Sequence, residues 1–302
     1  MKKISSFLLL LLLAVSLFVS CNADEDHGMY YRLATSSEES DYSISGILNV
    51  NDQDNKVYFY SSEGIFLFNG SSITPIIEST DSTKVSYAYF KSDNEIYWMD
   101  RDGFIYKYDG SSSSKISGTK SYDHLWENGY VTDDVYGVCK ADNLDTVISE
   151  KKVSHALIYG SSIAFADSEN TYIYEDSTLK STLSGTAFNG FTEANDTYYL
   201  VISGNIYKVS ENNKTKETNW SYTLQDGNFV PAFASDTKIY LKFADSYVIY
   251  DINNNTSEEK TSLWASNTAS SVVVCLTDSY IATSGNGFYT LDIDNNKSTR
   301  LF

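Results

Sequence analysis

Side chains able to do acid–base or covalent chemistry near neutral pH are scarce in this 302-residue sequence. The histidines are His27, His124 and His155; the last two adjoin apolar strand-like runs, where an imidazole is expected to be packed or superficial rather than a base. The cysteines are Cys21, Cys139 and Cys275, without the clustered Cys/His spacing a zinc site needs. Cys139 and Cys275 lie far apart in apolar runs (Val135–Cys139 and Val272–Leu276), as buried free thiols do. No Gly-x-Ser-x-Gly elbow is present to expose a serine nucleophile. Forty acidic residues allow many carboxylate pairs for glycoside chemistry, yet no one pair stands out. Asp100-Arg-Asp102-Gly103 and Asp292-Ile-Asp294-Asn295-Asn296 put oxygen ligands at alternate positions, but the glutamate that completes a calcium loop is missing. The expectation is therefore no resident cofactor or metal, with a structural Ca²⁺ as the exception weighed, and no assignable catalytic residue.

Charge narrows the partners further. With 22 basic against 40 acidic side chains the formal net charge is −18, and the basic residues form no stripe. Phosphate backbones are bound by such stripes, so no nucleic-acid partner is expected.

The first 21 residues read as a targeting segment. Lys2 and Lys3 precede an apolar run from Phe7 to Val19 that is too short to span a bilayer comfortably. It ends in Phe18-Val19-Ser20-Cys21, with a small residue directly before the cysteine. This resembles a bacterial lipoprotein signal ending at a lipobox, Phe18 standing where the family usually has Leu. The resemblance implies cleavage after residue 20, lipidation of Cys21, and a place in the cell envelope, periplasmic or at the cell surface. Two or three acyl chains anchor stably where one would not. The alternative is an ordinary secretory signal cleaved nearby, with Cys21 a bystander. Residues 21–28 then form a short acidic tether, and 29–302 the folded domain.

The elements that must position any site are strands. Twenty-five Tyr and 15 Phe with 2 Pro favour an all-β chain. One pattern recurs along it: a β run, a short Asp/Asn/Gly/Ser turn, and a second β run rich in Tyr, as in Lys56-Val-Tyr-Phe-Tyr60 with Gly64-Ile-Phe-Leu-Phe68. The large residues closing the second runs, Phe68, Tyr108, Val138, Tyr174, Val209, Tyr250 and Leu291, recur at roughly 37 residues. An apolar run precedes each hairpin and another usually follows, giving four strands per unit. The domain thus resembles a β-propeller of about seven four-stranded blades, similar to the lipid-anchored propellers of bacterial envelopes. Two packed β-sandwiches are the alternative. Sialidase-type propellers clamp substrate with three converging arginines; here Arg32 and Arg300 fall at the chain ends, away from Arg101.

These readings favour a non-enzymatic binding or scaffold protein that recruits a protein, peptide or glycan partner through its loops. A hydrolase or lyase acting on glycans through Asp/Glu at the central channel is the alternative. In a four-stranded blade the turns between second and third strands share one face. Those turns carry Glu63, Asp100, Asp102, Asp133, Asp134, Asp167, Glu169 and Asp245, with Arg101 as their one basic residue. A ring of like charge steers a cationic partner or a divalent ion, so these eight acids are the candidate partner face.

Overall fold

Runs such as Lys56–Ser61, Glu95–Asp100 and Ser162–Ala166 are too uniformly apolar to have a wet side, and each is buried along nearly its whole length. A strand covered on both faces must lie inside a sheet that is itself sandwiched between neighbours. The computed structural model shows that arrangement; it describes residues 43–302 except 52, 218–231, 236, 243–245, 262–272, 277–279, 284–286 and 293–296. Cys21, the tether and Asp245 lie outside the described residues, as do Tyr30–Leu33 at the start of the domain.

The described residues form seven antiparallel meander sheets, and each hairpin pair read from the sequence falls in its own sheet. The first sheet is Gly46–Asn51, Lys56–Ser61, Gly64–Phe68 and Ile73–Glu78. The second is Val85–Ser92, Glu95–Asp100, Ile105–Tyr108 and Ser113–Lys115. The third has His124–Leu125, Tyr130–Asp133 and Gly137–Lys140, and stops at three strands. The fourth is His155–Tyr159, Ser162–Ala166, Asn170–Glu175 and Thr178–Ser184; the fifth is Gly190–Ala194, Thr197–Ile202, Asn205–Ser210 and Asn213–Lys216. The sixth runs from Ala232 to Thr261 and the seventh from Val273 to Arg300.

The core is a series of interfaces rather than one centre. Tyr60, Ile65, Val85 and Trp98 join the first sheet to the second; Tyr97, Met99, Leu125 and Val131 join the second to the third; Tyr130, Val138, Ile163 and Phe165 join the third to the fourth. Each such buried aromatic or aliphatic side chain contributes about 1.5–3 kcal/mol. The ring closes by aromatic packing. Phe302 lies 4.9 Å from both Phe59 and Phe68 of the first sheet and 5.7 Å from Phe288 of the seventh, ring centroid to centroid. Its carbonyl accepts the Phe288 N–H at 3.0 Å.

The turns obey local chemistry. Between first and second strands, Asn55, Asn195 and Asp196 take positive φ, as residues that tolerate left-handed backbone should. In the third sheet the sequence predicts a strand from Val135. The observed strand begins at Gly137, because Asp133 pairs with Gly137 across a three-residue loop whose closing glycine takes φ 78°. Val135 and Tyr136 therefore sit at a loop tip and not in the sheet.

Candidate functional site

Three of the turns between second and third strands, those of the second, third and fourth sheets, are built on their own aspartates. Asp100 Oδ1 accepts the N–H groups of Asp102 and Phe104 at 3.0 and 2.9 Å, and its Oδ2 accepts the Tyr106 hydroxyl at 3.0 Å. Asp133 Oδ1 accepts the N–H groups of Val135 and Tyr136, both at 2.7 Å. Asp167 Oδ1 accepts those of Glu169 and Asn170, both at 2.8 Å, with the Tyr172 hydroxyl at 2.9 Å on Oδ2. Partial burial pushes the Asp167 carboxyl up, but these donors and Lys151 outweigh it and hold the group below the ordinary aspartate range. A short acidic side chain that satisfies two backbone donors is the usual way to close such a turn.

The predicted acidic face is thus two populations. Asp100 and Asp133 are 3% and 5% exposed and are spent on their own turns, with Asp167 half-buried. Glu63, Asp102, Asp134 and Glu169 are exposed on the turn tips. The structure brings part of the set together: a cleft of ≈ 630 Å³ opens at this face between the first three sheets. Asp100, Arg101 and Asp102 of the second sheet face Asp123 and Asp133 of the third across it, with Val85, Tyr87, Met99 and Tyr122 between them. Asp123, Asp133 and Asp134 have carboxylate oxygens within 4.8 Å of one another, and the Asp134 N–H donates to Asp123 Oδ2 at 2.9 Å. Glu63, Asp167 and Glu169 do not line the cleft.

Asp123, Tyr122 and the Val135–Tyr136 tip were missed by the sequence reading, although a polar turn position occupied by Val-Tyr is a visible departure. Val135 is 68% and Tyr136 42% exposed, and the Tyr136 ring lies 5.6 Å from that of Tyr122. Lys120 Nζ stands 5.6 Å from the Tyr136 ring centroid.

A second constellation lies toward the axis. Tyr87, which lines the cleft, packs 3.7 Å from His124, and His124 packs 3.9 Å from Trp126. Burial drops the His124 imidazole to about 4, so it is neutral near pH 7; this is the packed histidine expected from the sequence. Beyond it, Glu127 is reached by solvent yet ringed by protein, which pushes its carboxyl up. Its own backbone N–H and the Tyr60 hydroxyl oppose that shift as hydrogen-bond donors. Nothing in the sequence around Glu127 signalled this, because the Tyr60 hydroxyl that meets it belongs to the first sheet. The His155 imidazole is likewise lowered by burial, and the Cys139 thiol is pushed up to about 12, leaving it unreactive.

No protein-family profile matches the sequence and no curated protein is similar to it. Solved structures are. The computationally designed protein Ika8 is 12% identical, with 87% of each chain covered and a TM-score of 0.54. YCF48 bound to D1 peptide is 12% identical over 82% of this chain and 92% of that one, with a TM-score of 0.53. Hsv2 of Kluyveromyces lactis is 8% identical over 85% and 99%, with a TM-score of 0.53. These are β-propellers, and at such identities the likeness concerns the fold alone. The chain is an all-β propeller. Among the described residues no helix is long and apolar enough to cross a membrane.

Proposed function

We propose that this propeller is a non-enzymatic binding protein, anchored in a bacterial envelope through lipidated Cys21, that recruits a partner at the face of its second-to-third-strand turns. The observation that carries the binding half is the cleft between the first three sheets, which is lined by the exposed carboxylates of Asp102 and Asp123 and adjoins, through Tyr122, the exposed Tyr136 ring. Pockets of about 300–1,000 Å³ are large enough to bury a ligand or a few partner side chains. Val135 and Tyr136 add exposed apolar surface beside it, on which a partner side chain could pack. The same fold in YCF48 holds a D1 peptide. The anchoring half rests on Lys2, Lys3, the Phe7–Val19 run and the small residue before Cys21.

One experiment addresses both halves. A photo-crosslinking residue is placed at Arg101 in the cleft or at Leu179, an exposed position on the fourth sheet, in chains with and without Cys21→Ser. In detergent-free fractions of intact cells the parent chain should stay with membranes and give a discrete adduct from position 101 alone. Cys21→Ser should release it and lose the adduct. An unmodified mature N-terminus, or equal adducts from both positions, overturns the reading.

A glycan-active enzyme is the second reading, and Glu127 is what favours it: a carboxyl whose surroundings raise it above the ordinary glutamate range is shifted in the direction general acid work needs. A two-acid mechanism needs a second carboxyl about 5–10 Å away, whereas the groups that act on Glu127 are Tyr60 and its own backbone. Release of reducing ends from envelope polysaccharide, abolished by Glu127→Gln, would install this reading in place of the first.

A further inference from the structure

Among the five second-to-third-strand turns that the structure describes, the tips follow one rule and break it once. Ser62 and Glu63 in the first sheet, Arg101 and Asp102 in the second, Ser168 and Glu169 in the fourth, and Ser203 and Gly204 in the fifth are polar or glycine. The third sheet puts Val135 and Tyr136 there instead, and Val135 is the most exposed large apolar side chain among the described residues. Closing the turn does not ask for them. The turn is closed by the Asp133 carboxylate and by the left-handed backbone of Gly137, both indifferent to what the tip side chains are. A repeat that departs from its own pattern without a folding reason marks a functional position.

The surroundings say what would cover the tip. On one side is the cleft, where Asp102 and Asp123 are exposed and the buried charges of Asp100 and Asp133 add to the same sign; Arg101 opposes them alone. On the other side the chain already shows how a cation sits here, with Lys120 lying over the Tyr136 ring. Apolar contact next to concentrated negative charge is complementary to a chain that carries a cation beside an apolar side chain. A neutral glycan would satisfy the aromatic rim and leave the carboxylates without a counter-charge, and an anionic one would be repelled.

We propose that the Val135–Tyr136 tip and the adjoining cleft form a docking site for an extended polypeptide segment in which a lysine or arginine adjoins an apolar residue. The apolar side chain packs on Val135 and Tyr136, and the cationic one enters the cleft toward Asp102 and Asp123. This rests on the partner-binding reading above and specifies the partner.

The test uses a random dodecapeptide display library selected against the purified mature chain, followed by titration of the enriched peptides as synthetic, labelled probes. Enriched sequences should place Lys or Arg within two residues of Leu, Ile, Val or an aromatic. The affinity should weaken at least tenfold in Asp102→Asn/Asp123→Asn and, separately, in Val135→Ser/Tyr136→Ser, while Leu179→Ser leaves it unchanged. The carboxylate variant should also lose most of the salt dependence, whereas the apolar variant keeps it. Thermal unfolding of each variant confirms that the fold is intact. Enriched peptides that bind the tip variants as well as the parent overturn this site but leave a partner-binding propeller standing. Acidic or uncharged consensus sequences overturn the cationic partner. Recovery of no binders, together with binding of a glycan array to the same chain, overturns the polypeptide partner; no binders and no envelope adduct from position 101 overturn the binding reading as well.

Discussion

The third and fourth sheets share a wall and a plan, and they part at the tip of the same hairpin. In both, an aspartate at the end of the second strand accepts two backbone N–H groups of the turn, Asp133 at 2.7 Å and Asp167 at 2.8 Å. In the fourth sheet the tip is Ser168 and Glu169 and the sheet goes on to a fourth strand, Thr178–Ser184. In the third the tip is Val135 and Tyr136, and the fourth strand is replaced by an irregular segment that touches the sheet through Ile148 and Ser149 on Val138. Backbone hydrogen bonding must be satisfied in every repeat, so the capping aspartates are constrained. The tips are constrained by nothing in the fold, and it is there that the two sheets differ. The acidic ring of a propeller face is accordingly two things at once: carboxylates that hold turns together, and carboxylates left over for a partner.

The sharpest way to break this comparison is at the glycines. Gly137 has φ 78°, and a Cβ there would drive into the Ser149 carbonyl of the irregular segment. Gly160, in the first turn of the fourth sheet, has φ 53° but open space around a Cβ. Gly160→Ala should cost only the left-handed backbone penalty, about 1 kcal/mol. Gly137→Ala should cost about 3 kcal/mol or more, because the penalty is joined by displacement of backbone that supplies the last hydrogen bonds of the sheet. Equal losses in chemical denaturation would mean that the irregular segment is not held against the third sheet as tightly as a regular fourth strand.

A smaller effect separates the two kinds of carboxylate. Asp133→Ala leaves the part-buried Val135 and Tyr136 N–H groups without their acceptor and should lose about 1–2 kcal/mol. Asp134→Ala, one residue on and exposed, should stay within about 0.5 kcal/mol. If removing Asp133 instead stabilises the chain, relief of repulsion among Asp123, Asp133 and Asp134 outweighs the cap.

This division was only half legible in the sequence. The hairpins, the period and the all-β ring could be read because alternating Tyr and Phe, with Asn, Asp and Gly between, act over a few residues: Asn195 and Asp196 take the left-handed backbone their types suggest. The acids of the turns were legible as a group, but not which of them faced inward, since burial of Asp100 depends on Tyr106 and on its own loop length. The extent of the third sheet was misread at Val135, because a Val–Tyr pair before Gly-Val-Cys has the composition of a strand. Asp123 and Glu127 were invisible for a different reason. Asp123 meets Asp133 and Asp134 only when the third sheet's hairpin folds back on the segment before it, and Glu127 meets the Tyr60 hydroxyl of the first sheet, so neither contact leaves a pattern in neighbouring residues.

Glu127 gives the effect with the clearest sign. Burial raises its carboxyl above the ordinary glutamate value of about 4.3. As pH climbs past that value the unfolded chain releases the proton while the folded chain still holds it, so the unfolded state gains and stability declines. An amide carries no such proton and can still accept the Tyr60 hydroxyl, which burial keeps protonated throughout. Glu127→Gln should therefore unfold with the parent chain near pH 4 and at a higher temperature near pH 7, the gap opening between those limits in a thermal series. His124, lowered to about 4, makes stability rise with pH over the same window as its unfolded form loses a proton, but it does so in both chains and so cancels in the gap between them. Asp102, exposed on a turn tip, offers the contrast within the same cleft: Asp102→Asn should change the unfolding midpoint little at either pH while weakening the captured peptide. A gap for Glu127→Gln that is constant with pH, or that favours the parent chain at pH 7, would show that the carboxylate is held charged at the axis, and the axial ring would then have to be counted with the cation-attracting face rather than apart from it.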